Sequence, residues 1–408
     1  MRPPLPCTAW LTLALVLTGC ASDYVSRTSG VRRAYESGHY DEALKTLEPA
    51  EKAPAQDKLL VLLDRGMILH ASGKYEESIA VLAKADKLSQ ELDFTSISEA
   101  AKTLATGERE KAYAGEDFEK LMISVLQGLN YALLGKDEDA LVEVRRVNER
   151  MLKMIREEKK PYEQLAIARY LSAVLYEDQG ALDDAYIDYA AALKLAPGAR
   201  ALEEPVLRLA GQTGRSDDVE ALAKRMPGVD TSKLRANEGQ LVVILETGRS
   251  PEKVSNHQGE GPQLVTVPAY VNRTSFTSHA TVTAGPRPPQ TTETVTSLEA
   301  VARVHLNDRI GRMLSKQLAG VAVKAGLAAG VGALTKSEAL GALTFLALSA
   351  TNQTDLRSWL SLPAEFEVAR FRLPVGDQPV TVTTPVGATQ HTVAIHPKRV
   401  SLLVLRRY

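Results

Sequence analysis

Few side chains in this chain stand where chemistry could start. The seven histidines lie at 39, 70, 257, 279, 305, 391 and 396. No pair has the helical spacing with an adjacent glutamate that grips zinc, and His391 and His396 share at most a strand end. The chain has no Gly-x-Ser-x-Gly elbow for a serine nucleophile and no phosphate-cradling P-loop. Carboxylates are plentiful, but they read as solvated faces of helices. The expectation is therefore a non-enzymatic protein with no catalytic residue, no metal and no cofactor. Two cysteines remain, Cys7 and Cys20. Cys7 lies in a leader with Arg2 near its start and an apolar run from Ala9 to Val16, ending in the small residue Gly19. That is the layout of a secretory signal peptide over residues 1–19. The run is too short for the roughly 30 Å of a bilayer core. Without the leader the chain keeps one cysteine, so no internal disulfide can form even in an oxidising compartment.

The run Leu17-Thr18-Gly19-Cys20 resembles the lipobox of bacterial lipoproteins. The resemblance implies cleavage before Cys20 and a diacylglyceryl group on its thiol, with palmitate-like chains. Two or three such chains, at about 0.8 kcal/mol per buried CH2, make a near-permanent anchor. In such lipoproteins an aspartate after the cysteine favours inner-membrane retention. Ala21 therefore points to the outer membrane, with the chain facing the periplasm.

The elements that follow must build the rest. With 408 residues the chain is long enough for two domains. A net charge of −1 argues against nucleic acid as a partner. Residues 31–230 repeat a pattern: Gly38-x-Tyr40-x2-Ala43; Gly66-x6-Gly73-x-Tyr75-x2-Ser78-x6-Ala85; Gly128-x6-Gly135-x4-Ala140; Ala173-x6-Gly180-x4-Ala185, closed by Pro197. This is the tetratricopeptide (TPR) pattern, a helix–turn–helix unit of about 34 residues. The turn glycines end first helices in a left-handed conformation, and the small residues allow close helix contact. The excess between Gly73 and Gly135 predicts an added helix and loop within 91–119, and a degenerate fifth unit surrounds Gly214. A TPR array binds along the groove lined by its first helices. By offset that groove holds Leu63, Met67 and His70, then Val125, Leu129 and Ala132, then Tyr170, Val174 and Glu177. It is mostly apolar. Either it receives an apolar or helical peptide of a partner, or the C-terminal half of this chain fills it.

From about 231 the period changes. Strands are predicted at 241–246, 264–271, 281–283, 366–373, 380–384, 391–395 and 400–405, in an antiparallel sheet, with 248–262 as a loop. Within them sits a helical insert over about 297–352. Its parts are an amphipathic stretch (298–316), a Gly/Ala-rich stretch (318–334) with Ala322, Gly326 and Gly330 at four-residue spacing, a turn (335–338) and an apolar run (339–350). Small residues on one face let helices pack closely. A buried helix pair is favoured over a membrane-seeking hairpin because each run is short of about 20 residues. The predicted fold is thus mainly α: a lipidated tether over 20–30, a TPR-like solenoid, and a smaller α+β domain with a Gly/Ala hairpin.

Three stretches, Tyr113-Ala-Gly-Glu-Asp-Phe-Glu119, Glu143-Val-Arg-Arg-Val-Asn148 and Asp355-Leu-Arg357-Ser-Trp359-Leu-Ser-Leu-Pro363, resemble an uncharacterised family of TPR-containing lipoproteins of Gram-negative bacteria. The resemblance implies no reaction. Asp355, Arg357 and Trp359 form either a packed bend or a recognition patch, since Trp and Arg recur at interface hot spots. The function expected is a membrane-anchored scaffold or adaptor binding envelope proteins through its repeats. The alternatives are a regulator or enzyme of cell-wall peptidoglycan synthesis, and a lipid-interacting protein acting through the hairpin.

Overall fold

The computed structural model describes residues 24–51, 55–98, 112–160, 162, 164–225, 227–229, 231–258, 265–273, 279–335, 340 and 355–408. Cys20 and its leader lie outside the described residues, as do 336–339 and 341–354 of the predicted hairpin.

Eleven helices of the described residues precede the first strand: α1 (Tyr24–Arg27), α2 (Ser29–Glu36), α3 (Tyr40–Glu51), α4 (Lys58–Ala71), α5 (Tyr75–Ser98), α6 (Asp117–Leu133), α7 (Asp137–Arg156), α8 (Ala166–Asp178), α9 (Leu182–Leu195), α10 (Glu203–Gln212) and α11 (Ser216–Arg225). From α2 onward they pair as five helical hairpins. Each pair turns at a glycine, Gly38, Gly73, Gly135, Gly180 or Gly214, with φ between +68° and +78°, where a Cβ is penalised. Close approach needs glycine at Gly66, where an added Cβ would lie 2.5 Å from Leu82 Cδ2. Ala43, Ala85, Ala140 and Ala185 are wholly buried between helices. These contacts make the array TPR-like, and the fifth unit at Gly214 is a complete helix pair. The extra length after Gly73 goes partly into α5, which runs to Ser98.

Residues 24–30, expected as part of an extended tether, are packed against the solenoid. Tyr24–Arg27 and the first residues of α2 are helical, and Tyr24 is buried and donates a hydrogen bond to Asp64 at 2.8 Å. An aromatic ring that finds both an apolar seat and a carboxylate has no reason to stay extended in water.

The C-terminal half contains β1 (Glu238–Thr247), β2 (Glu252–Gln258), β3 (Val265–Val271), β4 (Thr281–Ala284), β5 (Gln290–Thr291), β6 (Glu293–Ser297), α12 (Leu298–Thr335), β7 (Glu365–Pro374), β8 (Gly376–Thr384), β9 (Gly387–Ile395) and β10 (Val400–Arg407). One sheet has the order β10-β1-β7-β6 and a second β5-β4-β8-β9, while β2 and β3 pair separately. All pairings are antiparallel except β1–β10, which is parallel. Parallel neighbours need a long crossover, and everything between these two strands supplies it. The middle of β1, Leu241–Leu245, is an unbroken apolar run because both its faces are covered. Leu241, Val243 and Leu245 face the second sheet, while Val242 and Ile244 join the core of the solenoid. Gly239 leaves no room for any side chain there, since a Cβ would lie 2.2 Å from the His396 carbonyl oxygen.

Strand β2 falls in the segment read as a loop. Its sequence EKVSNHQ is too polar to signal a strand, and pairing with β3 decides it. The amphipathic and Gly/Ala stretches form one continuous helix, α12, of 38 residues, about 57 Å at 1.5 Å per residue. The two predicted helices merge because nothing between them breaks the backbone ladder. Leu298, Ala302 and Leu306 are buried, whereas Gly311, Gly326 and Gly330 face open space. No described helix is long and apolar enough to cross a membrane.

Candidate functional site at the groove

The groove positions are brought together by the first helices α4, α6 and α8. Leu63, Met67, His70, Val125, Leu129, Tyr170, Val174 and Glu177 are all buried, none more than 7% exposed. What covers them is the chain itself. Phe366 and Val368 of β7, Val242 and Ile244 of β1, and Trp359 share one apolar cluster with them. Ala132 is only partly buried at the edge of this cluster.

Three polar nodes pin the sheet into the groove. At the first, Glu177 of α8 receives the Arg370 guanidinium from β7 and that of Arg208 from α10, both salt-bridged. Tyr189 donates to it at 2.8 Å and Gln240 Nε2 at 2.7 Å. Arg370 in turn donates to Gln240 Oε1 at 2.9 Å and Tyr189 Oη at 2.6 Å. Burial pushes the Glu177 carboxyl up, but the two arginines outweigh it and hold it at about 2.

The second node joins His70 of α4 to Glu246 of β1. His70 Nε2 lies 3.0 Å from Glu246 and Nδ1 lies 2.5 Å from Asn130 Oδ1. Asn130 donates its amide to Ser78, so its oxygen faces the ring. Two acceptors facing two ring nitrogens suit an imidazolium. Burial pushes the imidazole down, yet Glu246 prevails and the net shift is upward. A raised pKa contributes stability that is complete below the unfolded value near 6.5 and lost as pH rises through the folded value. The melting temperature is therefore expected to fall as pH is raised from about 6.5 toward 9. Glu246→Gln should flatten that part of the profile, and an unchanged slope in this variant would refute the assignment to His70.

The third node gathers residues distant in sequence. Glu116 caps α6 in a capping box with Glu119 and holds Lys253 of β2 and Arg309 of α12. Burial pushes its carboxyl up, but these two cations hold it well below the usual range. The Trp359 backbone N–H donates to Glu119 Oε1 at 2.7 Å. Trp359 is fully buried and donates through its indole to Ser361, which donates to Asp64 at 2.7 Å. Arg357 pairs with Asp355 at 2.7 Å and Asp57 at 3.0 Å. Asp355, Arg357 and Trp359 thus form a packed bend sealed against the solenoid, and no exposed recognition patch. The stretches beginning at Tyr113 and Asp355 meet here. The third pairs Glu143 with Arg146 on α7, at 3.0 Å.

Arg370, Gln240, Glu246, Arg208 and Lys253 were not among the sequence-derived candidates. Arg370 left a readable signal: it follows Phe366 and Val368 in register, where an apolar strand face turns basic at Arg370 and Arg372. Among the described residues no three His, Cys, Asp or Glu side chains could together hold a metal ion.

No protein-family profile matches the chain, and no curated protein matches it. Among solved structures 39 chains match. MamA from strain AMB-1 is 19% identical, with a TM-score of 0.32 over 51% of this chain and 91% of that one. MamA from Desulfovibrio magneticus RS-1 is 18% identical, with a TM-score of 0.33 over 49% and 88%. Nearly identical TPR-like repeats named for a kinesin light chain of Podosopora anserina are 16% identical, with a TM-score of 0.33 over 50% and 93%.

Proposed function

We propose that this chain is a non-enzymatic scaffold of the bacterial envelope, anchored through acylated Cys20 in the outer membrane and facing the periplasm. Its repeats hold its own C-terminal half, and that half meets the partner protein. The observation that supports this reading is the filled groove: a site already occupied by Phe366, Val368 and Arg370 offers a peptide no apolar surface. Seven of the nine exposed large apolar side chains among the described residues lie in the C-terminal half, which moves the docking surface there. Val254 of β2 and Val271 of β3 are diagonal neighbours on one face of their hairpin, 36% and 41% exposed.

In-cell crosslinking followed by pull-down and mass spectrometry tests this. The full-length chain is expected to capture a defined envelope protein that Val254→Glu/Val271→Glu loses. If neither chain captures anything, the scaffold reading fails. If the double variant still captures the protein, docking on this hairpin is wrong. The anchor has its own test. Cells fed an alkynyl fatty acid should label the wild-type chain, and Cys20→Ser should abolish the label; equal labelling of both would refute acylation at Cys20.

A further inference from the structure

A cavity of about 470 Å³ opens where the N-terminus of α8 meets β6, the end of α9 and the first turns of α12. That is within the range of small-molecule sites, roughly 300–1,000 Å³. Leu165, Leu195, Val295, Val301 and Val304 give it apolar walls, and Val304 is 42% exposed. It is separate from the three nodes.

Two observations point to a ligand with an oxygen-bearing head. The first is a pair of polar atoms with nothing to bond. His305 lines the cavity and is 5% exposed, yet its Nδ1 has no hydrogen-bond partner. Its ring is held in place by stacking on Tyr162, with centroids 3.6 Å apart. Gln164 lines the same cavity. Its Oε1 accepts from Arg169 at 3.2 Å, which fixes the amide, and its Nε2 is buried without a partner. Leaving such buried groups unpaired costs stability, a cost that a bound oxygen would remove.

The second observation is the α8 N-terminus. This helix has 13 residues, and its N-cap is Leu165, which supplies no side-chain cap. Thr296 takes the Ile167 N–H at 2.8 Å, and the Ala168 N–H turns back to the Leu165 carbonyl at 3.1 Å. The positive end of a helix dipole favours a negative charge.

We propose that this cavity binds a small amphipathic carboxylic acid, of the class of a medium-chain fatty acid. Its carboxylate lies against Gln164 and the first turn of α8, within reach of His305, and its alkyl body against Val295, Val301 and Val304. The site already holds His305 neutral at pH 7: burial lowers the imidazole to about 4. The ring therefore presents one N–H rather than a charge, and the helix end supplies the attraction for the anion.

The test is displacement of a fluorescent dansylated undecanoic acid from the full-length chain by dodecanoate. Methyl dodecanoate serves as the comparison that keeps the chain but not the charge. Dodecanoate should displace the probe at a single site, and the ester at least about tenfold more weakly, as expected for loss of charge-assisted hydrogen bonds. Ala300→Trp, at an exposed position lining the cavity, should abolish binding without lowering the melting temperature. Gln164→Leu should weaken dodecanoate while leaving the ester unchanged. Equal affinity for acid and ester would mean a site for esterified acyl chains and would overturn the proposal. So would binding that survives Ala300→Trp, or no displacement at all.

Discussion

Arg370→Met is expected to lower the stability of the chain by about 3–5 kcal/mol, the cost typical of removing one partner from a buried ion pair. Arg370 is buried, 7% exposed, and serves Glu177, Gln240 and Tyr189 at once. Without it, Glu177 keeps only Arg208 as a cation, and Gln240 loses the donor to its amide oxygen. Burial then pushes the Glu177 carboxyl upward, from its value of about 2 in the intact node. The midpoint of urea unfolding should drop accordingly. Glu177→Gln/Arg370→Met should recover a large part of the loss, because Arg208 keeps Glu204 at 2.6 Å and no charge is then stranded. A single-variant loss below about 1 kcal/mol would show that water or side-chain rearrangement already serves the node, and that it does not pin sheet to groove.

The second large effect concerns the two halves. A fragment of residues 24–230 is expected to self-associate, although its five helical hairpins are intact in sequence. Removing the sheet exposes Leu63, Met67, Val125, Leu129, Tyr170 and Val174 along one concave face. Monomeric proteins rarely expose apolar patches beyond a few hundred Å². The fragment should elute as aggregate or oligomer in size-exclusion chromatography with light scattering, and should bind an apolar dye. Co-expression with residues 231–408 should return it to a discrete complex, because the three polar nodes fix the register of the two halves. A monomeric fragment with a sharp melt would show that the groove is stable when empty, and the way would be open for a partner to compete with the sheet.

Much of the architecture could be read in the residues. The glycines at 38, 73, 135, 180 and 214 stand where only a left-handed residue closes a helical hairpin, and alanines such as Ala140 and Ala185 mark where helices touch. Most strands of the C-terminal half followed from alternation, as in FEVARFRL, and the unbroken apolar run LVVIL reflects a strand covered on both faces. Ala132 aside, the positions named for the groove from their offsets are all buried, and the apolar ones share a cluster with β1 and β7. What was not legible was the polar strand β2, because its stability comes from its partner strand. The junction within α12 was equally hidden, because small residues permit both a turn and a helix.

The sequence by itself determined the repeat class, the residues lining the groove, the apolar character of that groove, and the helix-then-strand order of the two halves. These are properties of local periodicity and of single positions where one residue type alone fits. Only the tertiary structure decided what fills the groove. Glu177 with Arg370, His70 with Glu246, and Glu119 with Trp359 lie between 176 and 240 positions apart. A single sequence gives each charge without its partner. Whether a buried glutamate is a solvated face, a reactive group or a structural clamp depends on the cation that the fold brings to it.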